Sequence, residues 1–281
     1  MGFIEKINRF LGLYLDVFRA IAKPLTWFPF LVYALLQFLM LLLLENYVHP
    51  YIYPVLHPLI ALLGEGRADF FGHYPELYLM LPTVYQWGKL IIGVVLEGLL
   101  IGITSVYFLR AFRNGEKGVS VATAFTRWPI LLIIWAVVTG ILLIINLYLP
   151  DLFGDMLFKS PRRMMVFEIF LRLLTVAVYS VFIYAIPAVI VYRNGLLGAF
   201  KTTFRLFARN PFFSFFLALI PFLFSIPISY ATDNVTTIVD KFTPELVFYI
   251  LVAGIFVDFL INYFITGTVV KFLAEESEES R

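Results

Sequence analysis

Six apolar runs, each close to the length of a membrane-crossing helix, alternate along the chain with shorter polar segments. Crossing about 30 Å of hydrocarbon takes about 20 helical residues at ~1.5 Å each. The runs fall near residues 25–44, 87–109, 128–149, 164–192, 211–230 and 244–273. The fourth and sixth exceed the required length, which predicts tilted or protruding helices. The first follows a mixed segment and lacks a small-residue cleavage site, so it reads as an uncleaved span and not a signal peptide. The pattern predicts an all-α polytopic transmembrane helical bundle of six spans, with residues 1–281 forming a single transmembrane domain.

Two stretches outside the runs have helical period and two unlike faces. In residues 1–23, Glu5, Arg9, Gly12, Asp16, Arg19 and Lys23 step by fours and threes, opposite Phe3, Ile7, Phe10, Tyr14, Val17 and Ile21. This spacing predicts an amphipathic helix lying in the membrane interface. Between the fourth and fifth runs, Leu196, Phe200, Thr203 and Phe207 form one stripe and Lys201, Arg205 and Arg209 another. Pro211 then opens the fifth run, where a missing amide costs little because first-turn amides lack helical partners.

The loops assign the sides. Lys and Arg concentrate before the first run (Lys6, Arg9, Arg19, Lys23), after the second (Arg110, Arg113, Lys117, Arg127) and after the fourth (Arg193, Lys201, Arg205, Arg209), with Lys271 and Arg281 at the end. The intervening loops carry fewer. By the positive-inside rule both termini are expected in the cytoplasm, in a multi-pass protein of the inner (cytoplasmic) cell membrane. Residues 45–86 then form the long non-cytoplasmic loop, in which Tyr51 to Leu63 is too short to span and reads as interfacial or re-entrant. The acidic end, residues 274–281, reads as a flexible solvated tail.

Composition agrees and excludes several classes. The chain is 61% hydrophobic and 14% charged, against about 25% charged in soluble domains. A net charge of +2 gives no electrostatic footprint for nucleic acid. With no cysteine, thiolate chemistry and disulfides are excluded. All three histidines (His49, His57, His73) lie in the outer loop without metal-ligand spacing, and no nucleophile with a base, metal motif or phosphate-cradling loop occurs. Neither an enzyme nor a cofactor is expected.

Polar residues inside the runs carry the remaining information. Gly254, Asp258, Asn262 and Thr266 step by fours along the sixth run, and Lys89, Gly93, Glu97 and Ser105 share a face of the second. Gly98 and Gly102 form a GxxxG pair that permits close helix approach. Glu168, Arg172, Thr175 and Tyr179 follow helical spacing in the fourth. All three spans run inward, so a shared intramembrane polar centre of Glu97, Asp258, Asn262, Arg172 and Glu168 is expected. Pro187, Pro221 and Pro227 would break helices around a cavity.

The leading functional expectation is a non-catalytic membrane module. It would bind lipids, other membrane proteins or a second copy of itself through a basic cytoplasmic surface of Lys201, Arg205, Arg209, Arg113 and Lys117. The alternative is a proton- or cation-coupled transporter or channel using Glu97 and Asp258.

The segment Gly195-Leu196-Leu197-Gly198-Ala199-Phe200-Lys201-Thr202-Thr203-Phe204-Arg205-Leu206, followed by Asn210-Pro211, echoes residues Arg113 to Pro129 upstream. These residues resemble the six-span membrane domain of glycerophosphoryl diester phosphodiesterase-type membrane proteins, over less than half of the chain. That group's catalytic activity resides in a separate soluble domain with no counterpart here, so the resemblance implies a membrane module and no catalysis.

Overall fold

A computed structural model describes residues 3–62, 64–113, 119–157 and 160–279, and all their regular structure is helical. Five helical segments are long and apolar enough to cross a membrane: Phe28–Glu45, Glu76–Phe112, Trp128–Gly154, Arg162–Val191 and Leu246–Glu278. A sixth candidate is a pair, Leu196–Arg209 and Pro211–Leu223, bent by 100°. The chain is a multi-pass membrane protein by length and composition of these helices.

The helices are α1 (Phe3–Ala20), α2 (Phe28–Glu45), α3 (Tyr53–Ala61), α4 (Glu65–Phe71), α5 (Glu76–Phe112), α6 (Val121–Thr126) and α7 (Trp128–Leu157). They continue as α8 (Pro161–Phe182), α9 (Ala185–Val191), α10 (Leu196–Arg209), α11 (Pro211–Leu223), α12 (Ile226–Asp233), α13 (Val235–Lys241) and α14 (Leu246–Glu279). The chain divides into two compact units. The first comprises residues 1–29, 94–222 and 262–281, and the second 30–93 and 223–261. Helices α5 and α14 contribute to both.

Prolines set the helix breaks. A proline removes its own amide and its ring collides with the carbonyl four residues earlier. Pro187 accordingly separates α8 from α9 at Ile183 and Tyr184, and Pro227 ends α11 at Leu223. The fifth run therefore becomes α11 and α12 and not one rod. Pro221 stays inside α11, and the carbonyl it deprives, that of Leu217, accepts a hydrogen bond from the Tyr14 hydroxyl of α1 at 3.3 Å.

The first unit packs through small residues. A Cβ on Gly98 would lie 2.9 Å from the Leu131 carbonyl oxygen and 3.0 Å from Trp135 Cβ, so the GxxxG face of α5 meets α7. Gly102 faces the Leu131 side chain, and Gly267 of α14 touches Val17 of α1 and Phe108 of α5. Helix α1 is thus docked along one side, with Leu13, Val17 and Ala20 buried. The Tyr263 hydroxyl donates to the Val17 carbonyl at 3.1 Å. Burial pushes the Tyr14 phenol above its ordinary pKa.

The second unit has its own core of Leu41, Tyr47, Phe71, Leu81, Val247 and Leu251 with their neighbours. Residues 45–86, expected as a loop, are mostly helical here: α3 and α4 form a pair and α5 starts at Glu76, ahead of the expected Trp87. The Tyr47 hydroxyl meets His57 Nδ1 at 2.7 Å. Burial, followed by the charges of Tyr53 and Asp69, raises the Tyr47 pKa.

The acidic end departs most from expectation. It reads as a tail in the sequence, yet residues 274–279 continue α14, where Glu275, Glu276 and Glu278 find cations within the first unit; residues 280 and 281 lie outside the described residues.

Candidate functional site

Four carboxylates and five cations form a charged clasp in the first unit. Glu276 on α14 sits between Arg9 Nη2 of α1 at 3.7 Å and Arg209 Nη1 of α10 at 3.1 Å. Glu275 pairs with Arg9 Nε at 3.4 Å and with Lys271 at 3.6 Å. Lys271 also reaches Asp16 at 3.1 Å, and Asp16 meets Arg19 at 3.6 Å. Arg113, at the end of α5, donates to the Ser277 hydroxyl at 2.7 Å and lies 3.8 Å from Glu278. The amphipathic period of α1 thus serves two purposes: Arg9 and Asp16 tie it to α14, while Ile7, Leu11, Leu15 and Phe18 remain exposed.

Exposure ranks these pairs. The Glu276 side chain is only 10% exposed and that of Arg9 20%, whereas Arg209 is 68% exposed. Breaking a buried pair costs about 3–5 kcal/mol and an exposed one about 0.2–1 kcal/mol. Replacing Glu276 with glutamine is expected to lower unfolding stability by about 2 kcal/mol, between those limits, and replacing Arg209 with glutamine by less than about 1 kcal/mol. Thermal unfolding in detergent checks the order of the two variants.

Helix α10 forms the other part of the basic surface. Ala199, Thr203 and Leu206, spaced by four and three, are buried. The outward face carries Lys201 and Arg205 together with Leu197 and Phe204, all exposed. Among the expected basic residues, Lys201, Arg205 and Arg209 share α10, Arg113 belongs to the clasp, and Lys117 lies outside the described residues. Of the upstream echo, residues 114–118 lie outside the described residues. Ser120 caps α6 by accepting from the Ala122 amide at 3.3 Å, and α6 is followed by α7 at Trp128. Arg127 Nη1 donates to the carbonyls of Val189 and Asn194 at 3.1 and 2.7 Å, placing a cation at the C-terminal end of α9.

The intramembrane polar residues occupy different units. In the first, Asn262 Nδ2 donates to Glu97 Oε1 at 3.0 Å, with both residues half-buried. Arg172 is half-buried and Glu168 exposed, both on α8. In the second, Lys89 of α5 and Asp258 of α14 form an ion pair, each about a third exposed. This pair lies on a cavity of about 130 Å³ lined by Tyr85, Gln86, Ser225, Ser229 and Thr232 among others.

The sequence groups Lys89 with the polar stripe of α5, and the structure makes it the counter-ion of Asp258. Its signal was present, since a lysine and an aspartate inside two apolar runs must each find compensation. The hydroxyl series Ser225, Ser229 and Thr232 also steps by four and three, and lies within what the sequence presents as one unbroken apolar run. Comparison with protein-family models, curated proteins and solved structures finds no match.

Proposed function

We propose that this chain is a non-catalytic integral membrane module that holds anionic lipid against the cytoplasmic ends of its first unit, through helix α10. One observation carries this reading. The outward face of α10 presents Lys201 and Arg205 beside Leu197 and Phe204, the mixture that lets a helix seat apolar groups among acyl chains while its cations meet headgroup phosphates. Phe212, which directly follows α10, and Leu11, Leu15 and Phe18 of α1 are further exposed apolar side chains. The concentration of Lys and Arg in the loops on this side supports a cytoplasmic location under the positive-inside rule. The resemblance of Gly195 to Leu206 to the membrane domain of glycerophosphoryl diester phosphodiesterase-type proteins supports the reading as a membrane module.

Each basic residue at an anionic surface contributes about 1 kcal/mol, so exchanging both Lys201 and Arg205 for glutamine is expected to weaken anionic-lipid retention about thirtyfold at low salt. Titrating phosphatidylglycerol into detergent-purified protein should raise the unfolding temperature of the native chain, while phosphatidylcholine leaves it unchanged. The doubly neutral variant should show neither rise. An equal response to both lipids, or an undiminished response in the variant, refutes the reading. Recovery of a stoichiometric protein partner without anionic lipid would favour a protein-binding module instead.

The competing reading is proton- or cation-coupled translocation using Glu97 and Asp258. It draws less support, because Glu97 accepts from Asn262 and Asp258 is balanced by Lys89. Coupled flux in proteoliposomes that disappears in a chain carrying Glu97→Gln and Asp258→Asn would reverse that preference.

A further inference from the structure

The second unit contains a partly polar cavity that the lipid-binding role leaves unused. Its volume of about 130 Å³ is several times the roughly 10–15 Å³ that one water requires. Ser225, Ser229 and Thr232, at the start and along α12, line one wall with hydroxyls, and the Lys89–Asp258 pair lines another. Gly254 permits the approach of α12, since a Cβ there would lie 3.1 Å from Ile228 Cγ2. The Tyr85 hydroxyl donates to Gln37 Oε1 at 3.0 Å, which fixes its ring as a wall. Thr232 Oγ1 donates to the carbonyls of Ile228 and Ser229 at 3.1 and 3.0 Å, so its oxygen remains able to accept.

We infer that this cavity binds a small zwitterion, a molecule carrying an ammonium and an acidic group a few bonds apart. Charge balance selects that class. The Lys89–Asp258 pair is neutral as a whole, and adding a lone cation or anion would place net charge among apolar helices, which is costly. A zwitterion exchanges partners without changing the total: its ammonium takes Asp258 and its acidic group takes Lys89. The hydroxyls of Ser225 and Thr232 meet the remaining donors and acceptors. An apolar solute would leave those hydroxyls and the ion pair without compensation for displaced water. The same chemistry is offered by a free amino acid and by the headgroup of an ethanolamine lipid.

The absence of native cysteine allows a direct test. A full-length chain with Ser229→Cys, reconstituted in vesicles, is treated with a water-soluble methanethiosulfonate and its labelling rate followed. Glycine represents the free solute and glycerophosphoethanolamine the lipid headgroup, with ethylamine and acetate as singly charged controls. A zwitterion at ten times its Kd should slow labelling about tenfold, and the controls should not. Slowing by glycine identifies a free solute, and slowing by glycerophosphoethanolamine alone identifies a headgroup. Adding Lys89→Gln and Asp258→Asn should keep the labelling and remove the protection. If that triple variant fails to assemble, the contrast between zwitterions and singly charged controls on Ser229→Cys alone decides. Failure of Ser229→Cys to label, equal protection by the controls, no protection by either zwitterion, or protection that survives the neutral pair overturns the inference. None of these outcomes bears on α10 and its lipids.

Discussion

Replacing Gly98 with leucine should cost the first unit about 3 kcal/mol, the upper part of the range for forcing extra atoms into a packed interface. Even the Cβ of alanine would stand 2.9 Å from the Leu131 carbonyl oxygen. That atom belongs to the backbone of α7 and has no side-chain rotation by which to move away. Helices α5 and α7 must separate, and Gly102 loses its fit against the Leu131 side chain in the same movement. In a bilayer, where burial from water does not drive helices together, close packing by small residues carries a large share of association. Alanine should cost about 1–2 kcal/mol at the same position. Gly140 on α7 supplies the control: nothing lies within 4 Å of a Cβ there, so Gly140→Ala should leave stability unchanged or slightly higher. Thermal unfolding of the three variants in one detergent, read by the loss of the monodisperse species, measures the series. Equal effects at Gly98 and Gly140 would contradict the close α5–α7 approach.

Replacing Lys89 with methionine should destabilise the second unit by a similar amount. Removing one member of a buried ion pair costs about 3–5 kcal/mol because the remaining charge loses its compensation. Both side chains retain about a third of their exposure, which brings the expected loss to about 3 kcal/mol. The companion change Asp258→Asn removes the abandoned charge, so the double variant should recover much of the loss. A double-mutant cycle by urea or thermal unfolding should give a coupling of about 1–3 kcal/mol. A coupling near zero would mean that the two residues act independently. The hydroxyls of α12 would then remain as the cavity's polar wall without a coupled pair beside them.

The sequence exposed the solvent and the helical class most clearly, because runs of about 20 apolar residues have few alternatives. It also exposed the small-residue face of α5, where Gly98 and Gly102 both meet α7. What it concealed depends on partners distant in the chain. Glu275, Glu276 and Glu278 look like a solvated tail when read alone, since three carboxylates so close together repel. Only the docking of α1 and α10 brings Arg9 and Arg209 to them and turns repulsion into a helical end. Asp258 and Lys89 are separated by 169 positions, and no local spacing links them. The period of α1 was legible, but its direction was not. The same arrangement of charges fits a helix facing water and one bound to α14, and the structure shows the second, with Leu11, Leu15 and Phe18 left outward.

The prolines were legible as interruptions, and their consequences were not. Pro187 and Pro227 break their helices, whereas Pro221 remains within α11, its abandoned carbonyl at Leu217 satisfied by Tyr14. A donor more than 200 positions away decides the difference, and periodicity carries no information about it.

Native mass spectrometry of the intact chain, released from mild detergent with its retained molecules, tests the lipid-binding claim most directly. The account predicts an anionic phospholipid at a fixed stoichiometry, lost when Lys201 and Arg205 are both changed to glutamine and kept when the cavity residues Lys89 and Asp258 are neutralised. A native chain that carries no anionic lipid, or carries it equally well without the α10 cations, would contradict it.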